Sequence, residues 1–256
     1  MTTGSRQYPD LDGKTAVVTG GSSPIGAAIC RQLAYNGARV VVSGRNAKII
    51  DEVVHAIRWD EGEAEGVVAD CTERDSLERL KEIAERVFGP VDILATVAGG
   101  YGAPTPFEEI DEQKWRFVVD ANLTSTFLTI QCFLPGMILR RQGAILTMAS
   151  SAGRLPGGAS APYAAAKAGV IMLSRYLARE MGPHGVRINC LSPSAVDVGW
   201  QGSLPEEQRR QMLAQFPLGR IGVPDDVAQA AAFLLSDAAS WITGVTLDIA
   251  GGRIMV

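Results

Sequence analysis

The stretch KTAVVTGGSSPIGAAICRQLAYNGA, residues 14–38, decides the fold. An apolar run, TAVVT, leads into Gly20, Gly21 and Gly26, and a helix-like segment follows. Glycines between a strand and a helix permit a tight turn and let the first N–H groups of the helix face a phosphate. Pro24 removes one of those N–H groups, but proline is well tolerated in the first turn of a helix. The loop predicts a nucleotide-binding turn, and a glycine-rich turn that binds nothing is the alternative.

Outward from this turn, short apolar runs alternate with amphipathic segments along the chain. The runs rich in Val, Ile and Leu predict strands that are buried on both faces: TAVVT, ARVVVSG, EGVVAD, VDILATVAG, GAILTMAS, VRINCLS and GVTLDIAGG. The segments between them predict helices at 25–36, 46–59, 73–88, 111–139, 162–181 and 224–236. This alternation predicts one α/β domain with a doubly wound parallel sheet and helices on both faces.

Composition sets the limits of the domain and of its partners. The polar residues 1–11 predict a flexible tail, so that residues 12–256 form the single domain. The chain has 24 basic and 28 acidic residues, a net charge of −4, and no long run of one sign, which argues against nucleic-acid binding. No apolar stretch approaches the roughly 20 residues of a membrane span. We therefore expect a cytoplasmic protein.

The residues that commonly bind metals form no paired motif. The four cysteines are widely separated and lie in or beside apolar segments, so we expect buried thiols: Cys30, Cys71, Cys132 and Cys190. The two histidines, His55 and His184, have no second ligand type at useful spacing, so we expect no metal site.

The end of the second predicted strand indicates which dinucleotide the turn would hold. An acidic residue at this place holds the ribose hydroxyls of NAD. This chain has VVVSGRN instead, with Ser43, Gly44 and Arg45. Because a guanidinium pairs with a 2′-phosphate, Arg45 favours NADP(H). An exposed arginine that merely starts the next helix is the alternative.

The segment SAPYAAAKAGV carries the strongest chemical signal. Tyr163 and Lys167 are four residues apart on a predicted helix and therefore share one face. A free tyrosine has a pKa of about 10, and a nearby ammonium stabilises the phenolate and lowers that pKa towards neutrality. The pair predicts an acid/base site, and an ordinary amphipathic helix face is the alternative.

The surroundings of this pair resemble a known family. Ser150 precedes Tyr163 by 13 residues, and Asn122 lies in VVDANLTSTF. With VAGG, FPLGRIGVPDDVAQAAAFLLSD and WITGVTLDIAGG, these motifs resemble the short-chain dehydrogenase/reductase family, and bacterial 3-oxoacyl-carrier-protein reductases in particular. The resemblance runs from about Gly13 to the end. It implies a Rossmann-type sheet of about seven strands and NADP(H)-dependent reduction of a ketone to a secondary alcohol, or the reverse.

The resemblance also implies a catalytic tetrad of Asn122, Ser150, Tyr163 and Lys167. Ser150 would hold the substrate carbonyl oxygen, and Tyr163 would give that oxygen a proton or remove it. Lys167 would bind the nicotinamide ribose and lower the pKa of Tyr163. Asn122 would seat a water in a proton relay.

The cofactor contacts implied by the loop and the family lie after successive strands. Asp70 matches a residue that bonds the adenine amino group, although an ordinary loop or helix-capping aspartate is equally consistent with the sequence. The full set comprises Gly20, Ser22, Ser23, Ile25, Gly26, Ser43, Arg45, Asp70, Cys71, Ala98, Gly99, Tyr163, Lys167, Pro193, Ser194 and Val196.

The substrate pocket is expected to form from the segments after strands four, five and six, including a loop at about 194–216. Its expected lining residues, any of which could be ordinary packing, are Tyr101, Ser151, Leu155 and Trp200, with Val196 and Met212 beside them. Arg209 and Arg210 could attract an acyl-carrier protein, but a solvated helix face accounts for them better.

The protein is expected to form a homodimer or homotetramer. Its expected contacts are the Ala-rich helix 162–181, the helix 111–139 and the C-terminal strand.

Several positions around the cofactor depart from the family pattern: Pro24, Thr96, Val97, Ser194 and Val198. Sequence drift is the favoured interpretation, with backbone groups and water replacing the lost side-chain contacts to the cofactor. The alternative is weak or absent nucleotide binding, with the tetrad used for isomerisation, dehydration or cyclisation. A non-catalytic interaction module would leave the tetrad without a purpose.

Overall fold

A computed structural model describes residues 7–199 and 205–255. Within them one parallel sheet has the order β3-β2-β1-β4-β5-β6-β7. Its strands are β1 (Thr15–Thr19), β2 (Arg39–Gly44), β3 (Ala64–Val68), β4 (Ile93–Thr96), β5 (Gly143–Met148), β6 (Val186–Pro193) and β7 (Thr246–Ile249). The strand order reverses between β1 and β4, and ligands of such sheets bind at the carboxyl ends of the strands beside this reversal.

The helices cover the sheet on both faces. They are α1 (Pro24–Tyr35), α2 (Ala47–Trp59), α3 (Arg74–Phe88), α4 (Glu112–Val119), α5 (Ser125–Arg140), α6 (Ala161–Met181), α7 (Glu206–Leu213) and α8 (Pro224–Leu235). One apolar cluster joins the sheet to α1, α2 and α8, and a second joins it to α3 and α5. Every residue of β1 is buried, as expected of a central parallel strand. The predicted Rossmann-type α/β fold with seven parallel strands is confirmed.

The helix predicted over 111–139 is interrupted. A π-helical turn, Asp120–Thr124, separates α4 from α5. The Nδ2 of Asn122 donates to the Val118 carbonyl at 2.8 Å, and the Thr126 hydroxyl bonds the Asn122 carbonyl. Side chains that bond carbonyls one turn back disturb a regular helix, and such π turns occur frequently at functional sites.

Residues 8–11, assigned from sequence to the flexible tail, instead contact the domain. The Tyr8 N–H donates to Asn36, Pro9–Leu11 form a 3-10 turn, and Leu11 is 1% exposed. The gain from burying the apolar Leu11 side chain accounts for this difference. Residues 1–6 lie outside the described part of the chain.

One helical run is longer and more apolar than the sequence expectation allowed. By length and composition alone, Glu112–Arg140 passes as a membrane span. It also contributes Ile130, Phe133 and Met137 to the core beneath the sheet. Core helices of folded domains pass the same test, so one such run is weak evidence for a membrane.

Candidate active site

The turn after β1 is built so that glycine is required. A Cβ at Gly20 would lie 2.6 Å from the Ala98 nitrogen, and one at Gly26 would overlap the Gly20 carbonyl oxygen. Ser23 caps α1, since its Oγ accepts from the Gly26 N–H at 3.1 Å and donates to the Gly20 carbonyl at 2.8 Å. Pro24 occupies the first helical position, where it fits. Ile25 follows with an N–H that has no acceptor inside the helix.

A cavity of about 230 Å³ opens between this turn and the ends of β2, β3 and β4. We call it the switch-point cleft. It is lined by eight residues expected to bind a cofactor: Gly20, Ser22, Ser23, Arg45, Asp70, Cys71, Ala98 and Gly99. Seven further residues line it, of which only Val97 was expected near the cofactor, as a departure from the family pattern: Gly44, Ala69, Thr72, Val97, Tyr101, Ala121 and Ser125. Most of these adjoin assigned residues, so strand-end position alone was a usable signal.

The switch-point cleft holds one cation and one carboxylate. The hydrogen bond to the Tyr101 hydroxyl raises the pKa of Arg45, so its guanidinium is charged. Burial opposes ionisation of Asp70, yet hydrogen bonds from Thr72 outweigh it and lower the pKa of the Asp70 carboxyl. The Thr72 N–H and hydroxyl reach the Asp70 Oδ1 at 2.9 and 2.7 Å. The Asp70 carboxylate thus helps to stabilise the turn in which it lies.

Tyr101, which the sequence assigned to the substrate pocket, contacts Arg45 at the switch-point cleft. Arg45 Nη2 donates to its hydroxyl at 2.5 Å, and its ring meets Phe117 edge-on at a centroid distance of 4.6 Å. It therefore covers the switch-point cleft, and its assignment to the substrate pocket stays a prediction. The backbone of Tyr101 is left-handed, with φ 67°.

The carboxyl end of β5 and the start of α6 bring three predicted catalytic residues together. Ser150 follows β5 and accepts from the Ala152 N–H at 3.2 Å, which fixes its hydroxyl, and it also hydrogen-bonds Tyr163. Lys167 lies one turn beyond Tyr163, with Nζ 5.5 Å from the tyrosine ring centroid. Lys167 Nζ donates to the Met148 carbonyl at 2.8 Å.

Asn122 completes the group from the π-helical turn. Its Oδ1 accepts from the Gly100 N–H at 3.0 Å, and its Nδ2 donates to the Gly100 carbonyl at 2.8 Å. A Cβ on Gly99 would lie 2.5 Å from Asn122 Oδ1 and 3.3 Å from Lys167 Nζ. The segment after β4 therefore packs between Asn122 and Lys167.

Burial dominates the ionisation of the central pair. It raises the pKa of Tyr163, which the hydrogen bond to Ser150 opposes. It lowers the pKa of Lys167 to about 8. The sequence expectation that Lys167 lowers the pKa of Tyr163 is thus not the net result, because desolvation of the phenolate is the larger effect.

The remaining expected cofactor residues do not line the switch-point cleft. The Ser43 side chain is fully buried beside it, and only its carbonyl serves the turn, by accepting from the Gly21 N–H. Pro193 ends β6, the Ser194 N–H bonds Ile249, and Val196 forms a parallel bridge with Gly222. These three lie at or just after the end of β6, the strand next to β5, which Ser150 follows.

The expected substrate side is partly described. Ser151 lies in a 3-10 turn, and Leu155 is half-exposed with its N–H bonded to the Ser151 carbonyl. Trp200 lies outside the described residues. On α7, Arg209 pairs with Glu206 and Arg210 with Glu207, as the solvated-face interpretation predicts.

Sequence reasoning missed one anchoring pair. Arg154 bonds Asp248 of β7 through Nε at 3.2 Å and Nη2 at 3.1 Å, and both side chains are about 15% exposed. Arg154 Nη2 also donates to the Thr246 carbonyl. The pair holds the turn after Ser150 against the last strand.

Comparisons with known proteins agree with this architecture. A family model described as enoyl-(acyl carrier protein) reductase matches residues 20–253. The chain is 36% identical over 250 residues to the 3-oxoacyl-[acyl-carrier-protein] reductase of Escherichia coli, covering 96% of this chain and 100% of that protein. It is 39% identical over 243 residues to the cis-4-hydroxycyclohexanecarboxylate dehydrogenase of Sinomonas cyclohexanicum, covering 95% and 97%. A crystal structure of 3-oxoacyl-[acyl-carrier protein] reductase from Brucella melitensis superposes with a TM-score of 0.91 at 29% identity, covering 98% of this chain and 95% of that one.

The fold and these matches define an oxidoreductase built on a Rossmann-type α/β sheet. The chain belongs to the short-chain dehydrogenase/reductase family, which confirms the resemblance drawn from its motifs.

Proposed function

We propose that this protein is an NADP(H)-dependent oxidoreductase that reduces a ketone, a 3-oxoacyl group or similar carbonyl, to a secondary alcohol, or catalyses the reverse. One observation carries the proposal: Ser150, Tyr163, Lys167 and Asn122 converge at the sheet edge that also carries the glycine turn. A set of this kind supplies a carbonyl-binding hydroxyl and a proton donor next to a place for a dinucleotide.

The residues present fit such a cofactor. Close packing at Gly20 and Gly26 leaves no room for side chains beside the turn, and the Ile25 N–H lies in the first turn of α1, where it has no acceptor inside the helix. Arg45 supplies a cation at the end of β2, where a 2′-phosphate would lie. Asp70 and the backbone after β3 would meet the adenine.

When bound, the nicotinamide supplies the hydride. Ser150, whose hydroxyl the Ala152 N–H orients, would hold the substrate carbonyl oxygen. Since burial raises the pKa of Tyr163, its hydroxyl is protonated at neutral pH and can donate to that oxygen.

Lys167 and Asn122 would position the cofactor and the segment after β4. Lys167 Nζ, held by the Met148 carbonyl, would bind the nicotinamide ribose. Asn122 clamps Gly100 through two hydrogen bonds, which fixes the segment between β4 and the tetrad. Its expected role in seating a relay water stays a prediction.

The substrate class is a secondary alcohol or its ketone. One relative is named for a 3-oxoacyl group on acyl-carrier protein and another for a hydroxycyclohexanecarboxylate. Arg209 and Arg210 of α7 are paired with Glu206 and Glu207 of the same helix, which fits a solvated face. The substrate is a ketone or its alcohol, either free or bound to an acyl-carrier protein.

The proposal includes a homotetramer or homodimer in the cytoplasm, with no nucleic-acid or membrane partner. Large apolar side chains are exposed along the two helical runs expected to pair: Phe117, Phe127 and Leu139 on one, and Met172 and Tyr176 on the other. A second copy would cover these side chains.

Binding measurements with both cofactors test the proposal. Arg45→Ala should weaken NADPH by about ten- to a hundredfold, since a charged hydrogen bond contributes about 1.5–3 kcal/mol. NADH binding should hardly change, because NADH has no 2′-phosphate. Lys48→Ala, at a side chain 86% exposed on the helix that follows Arg45, is the matched control and should alter neither.

Equal losses for both cofactors, or a wild type that prefers NADH, would contradict the NADP(H) assignment. If neither cofactor binds, the non-redox alternative of isomerisation, dehydration or cyclisation takes its place.

A further inference from the structure

Residues 99–102, GGYG, form a segment that we call the strap. It runs from β4 across the tetrad: Gly100 is clamped by Asn122, and Gly102 packs on the Tyr163 ring, where a Cβ would lie 2.9 Å from the ring carbons. The Gly102 carbonyl accepts from the Ser160 N–H at 3.1 Å. The strap is thus held on either side of Tyr101, whose side chain alone reaches across the switch-point cleft.

The backbone at Tyr101 is held in an unfavourable conformation. Its φ of 67° lies in the left-handed region, which tyrosine adopts rarely. Gly100, with φ 134°, precedes it and would meet nothing within 4 Å at its Cβ position. Apart from the edge contact with Phe117, the hydrogen bond from Arg45 is the polar interaction that holds the Tyr101 side chain in place.

That hydrogen bond uses the group that would recognise the cofactor. A guanidinium grips a phosphate best through two parallel N–H bonds, which need two of its nitrogens free on one edge. The Tyr101 hydroxyl accepts a hydrogen bond from Arg45 Nη2 at 2.5 Å and so engages one of these nitrogens. The Arg45 side chain is otherwise exposed to solvent, so that an incoming phosphate can approach it.

We infer that the Tyr101 hydroxyl competes with the cofactor 2′-phosphate for Arg45, and so is a specificity-determining group that weakens discrimination in favour of NADP(H). The inference rests on the proposed function. A ligand with a 2′-phosphate must displace the hydroxyl before it gains both guanidinium bonds, whereas a ligand without one gains nothing from the displacement. If the guanidinium of Arg45 is free in only a fraction of the molecules, the apparent affinity for the phosphate is reduced by that fraction.

The test uses two probes that differ by the 2′-phosphate alone, 2′,5′-ADP and 5′-AMP, titrated calorimetrically into cofactor-free protein. Tyr101→Phe retains the ring and its contact with Phe117 and removes the hydroxyl. Because the lost hydrogen bond is partly exposed, 2′,5′-ADP should bind about three- to fivefold more tightly to this variant. The affinity for 5′-AMP should not change.

Arg45→Ala provides the background that isolates the competition. In that background, Tyr101→Phe should have no effect on either probe, because the group in competition is gone. Unchanged or weaker binding of 2′,5′-ADP to Tyr101→Phe would overturn the inference. An equal gain for both probes would also overturn it, since that result indicates a steric cover.

The two proposals fail in different ways. If Arg45→Ala alone leaves 2′,5′-ADP binding unchanged, the NADP(H) assignment and this inference fail together. If Arg45→Ala weakens 2′,5′-ADP but Tyr101→Phe has no effect, this inference alone fails.

Discussion

Replacing Lys167 with methionine should stabilise the protein at neutral pH while it abolishes turnover. Lys167 is 3% exposed, and burial lowers its pKa to about 8 from an ordinary value of 10.5. A depressed lysine pKa means that folding disfavours the charged form. The penalty is fully present below pH 8 and is relieved as the pH rises towards 10.5, where the unfolded chain also loses the proton.

The magnitude follows from the shift. The difference between 10.5 and about 8 is about 2.5 units, which corresponds to about 3 kcal/mol at about 1.4 kcal/mol per unit. Methionine removes this penalty but leaves the Met148 carbonyl without its donor, which costs about 1–3 kcal/mol. The free energy of unfolding of Lys167→Met relative to wild type should therefore fall by about 3 kcal/mol between pH 7 and pH 10.5, whatever the exact cost of the lost hydrogen bond.

Urea unfolding of cofactor-free wild type and Lys167→Met at several pH values measures this difference. Equal protomer concentrations are needed, because association contributes to apparent stability. Lys48→Met, at an exposed position, is the control and should follow wild type throughout. Parallel stability curves for wild type and Lys167→Met would refute the reasoning, because they would show that burial imposes no charge penalty on Lys167.

Three further predictions concern chemistry, anchoring and assembly. Tyr163→Phe should abolish turnover and leave NADPH binding nearly unchanged, because only the proton donor is lost; substantial residual reduction would exclude its role. Arg154→Ala should lower the free energy of unfolding by about 1–3 kcal/mol, since it leaves the partly buried Asp248 carboxylate without its partner. The double variant Arg154→Ala/Asp248→Ala should recover part of that loss, and no recovery would contradict the pairing. Sedimentation should show a dimer or tetramer at micromolar concentration, and only monomer would count against the exposed apolar helix faces as interfaces.

The sheet and most helices could be predicted because their signals are local. Strands buried on both faces read as continuous apolar runs, and β1, β2 and β5 appear within a residue or two of the runs that predicted them. The tetrad residues could be named because their motifs resemble the family, and the spacing of Tyr163 and Lys167 on one helix face was the only part that local geometry could supply.

The features that escaped prediction depend on contacts between distant parts of the chain. The π-helical turn arises where Asn122 bonds Gly100, 22 residues away, while the apolar periodicity of 111–139 continues through it. Tyr101 covers the switch-point cleft because it meets Arg45, 56 residues away, in a left-handed conformation that no local pattern indicates.

The most direct test of the proposed activity follows the hydride itself. The protein would be incubated with NADPH carrying deuterium at C4, prepared in either configuration, and with a panel of ketones that includes 3-oxoacyl thioesters. The account predicts that one configuration transfers its deuterium to the carbinol carbon of the alcohol product, as detected by mass spectrometry, and that Tyr163→Phe prevents the transfer. Conversion of substrate with no deuterium at that carbon from either configuration would contradict it and would indicate non-redox proton transfer.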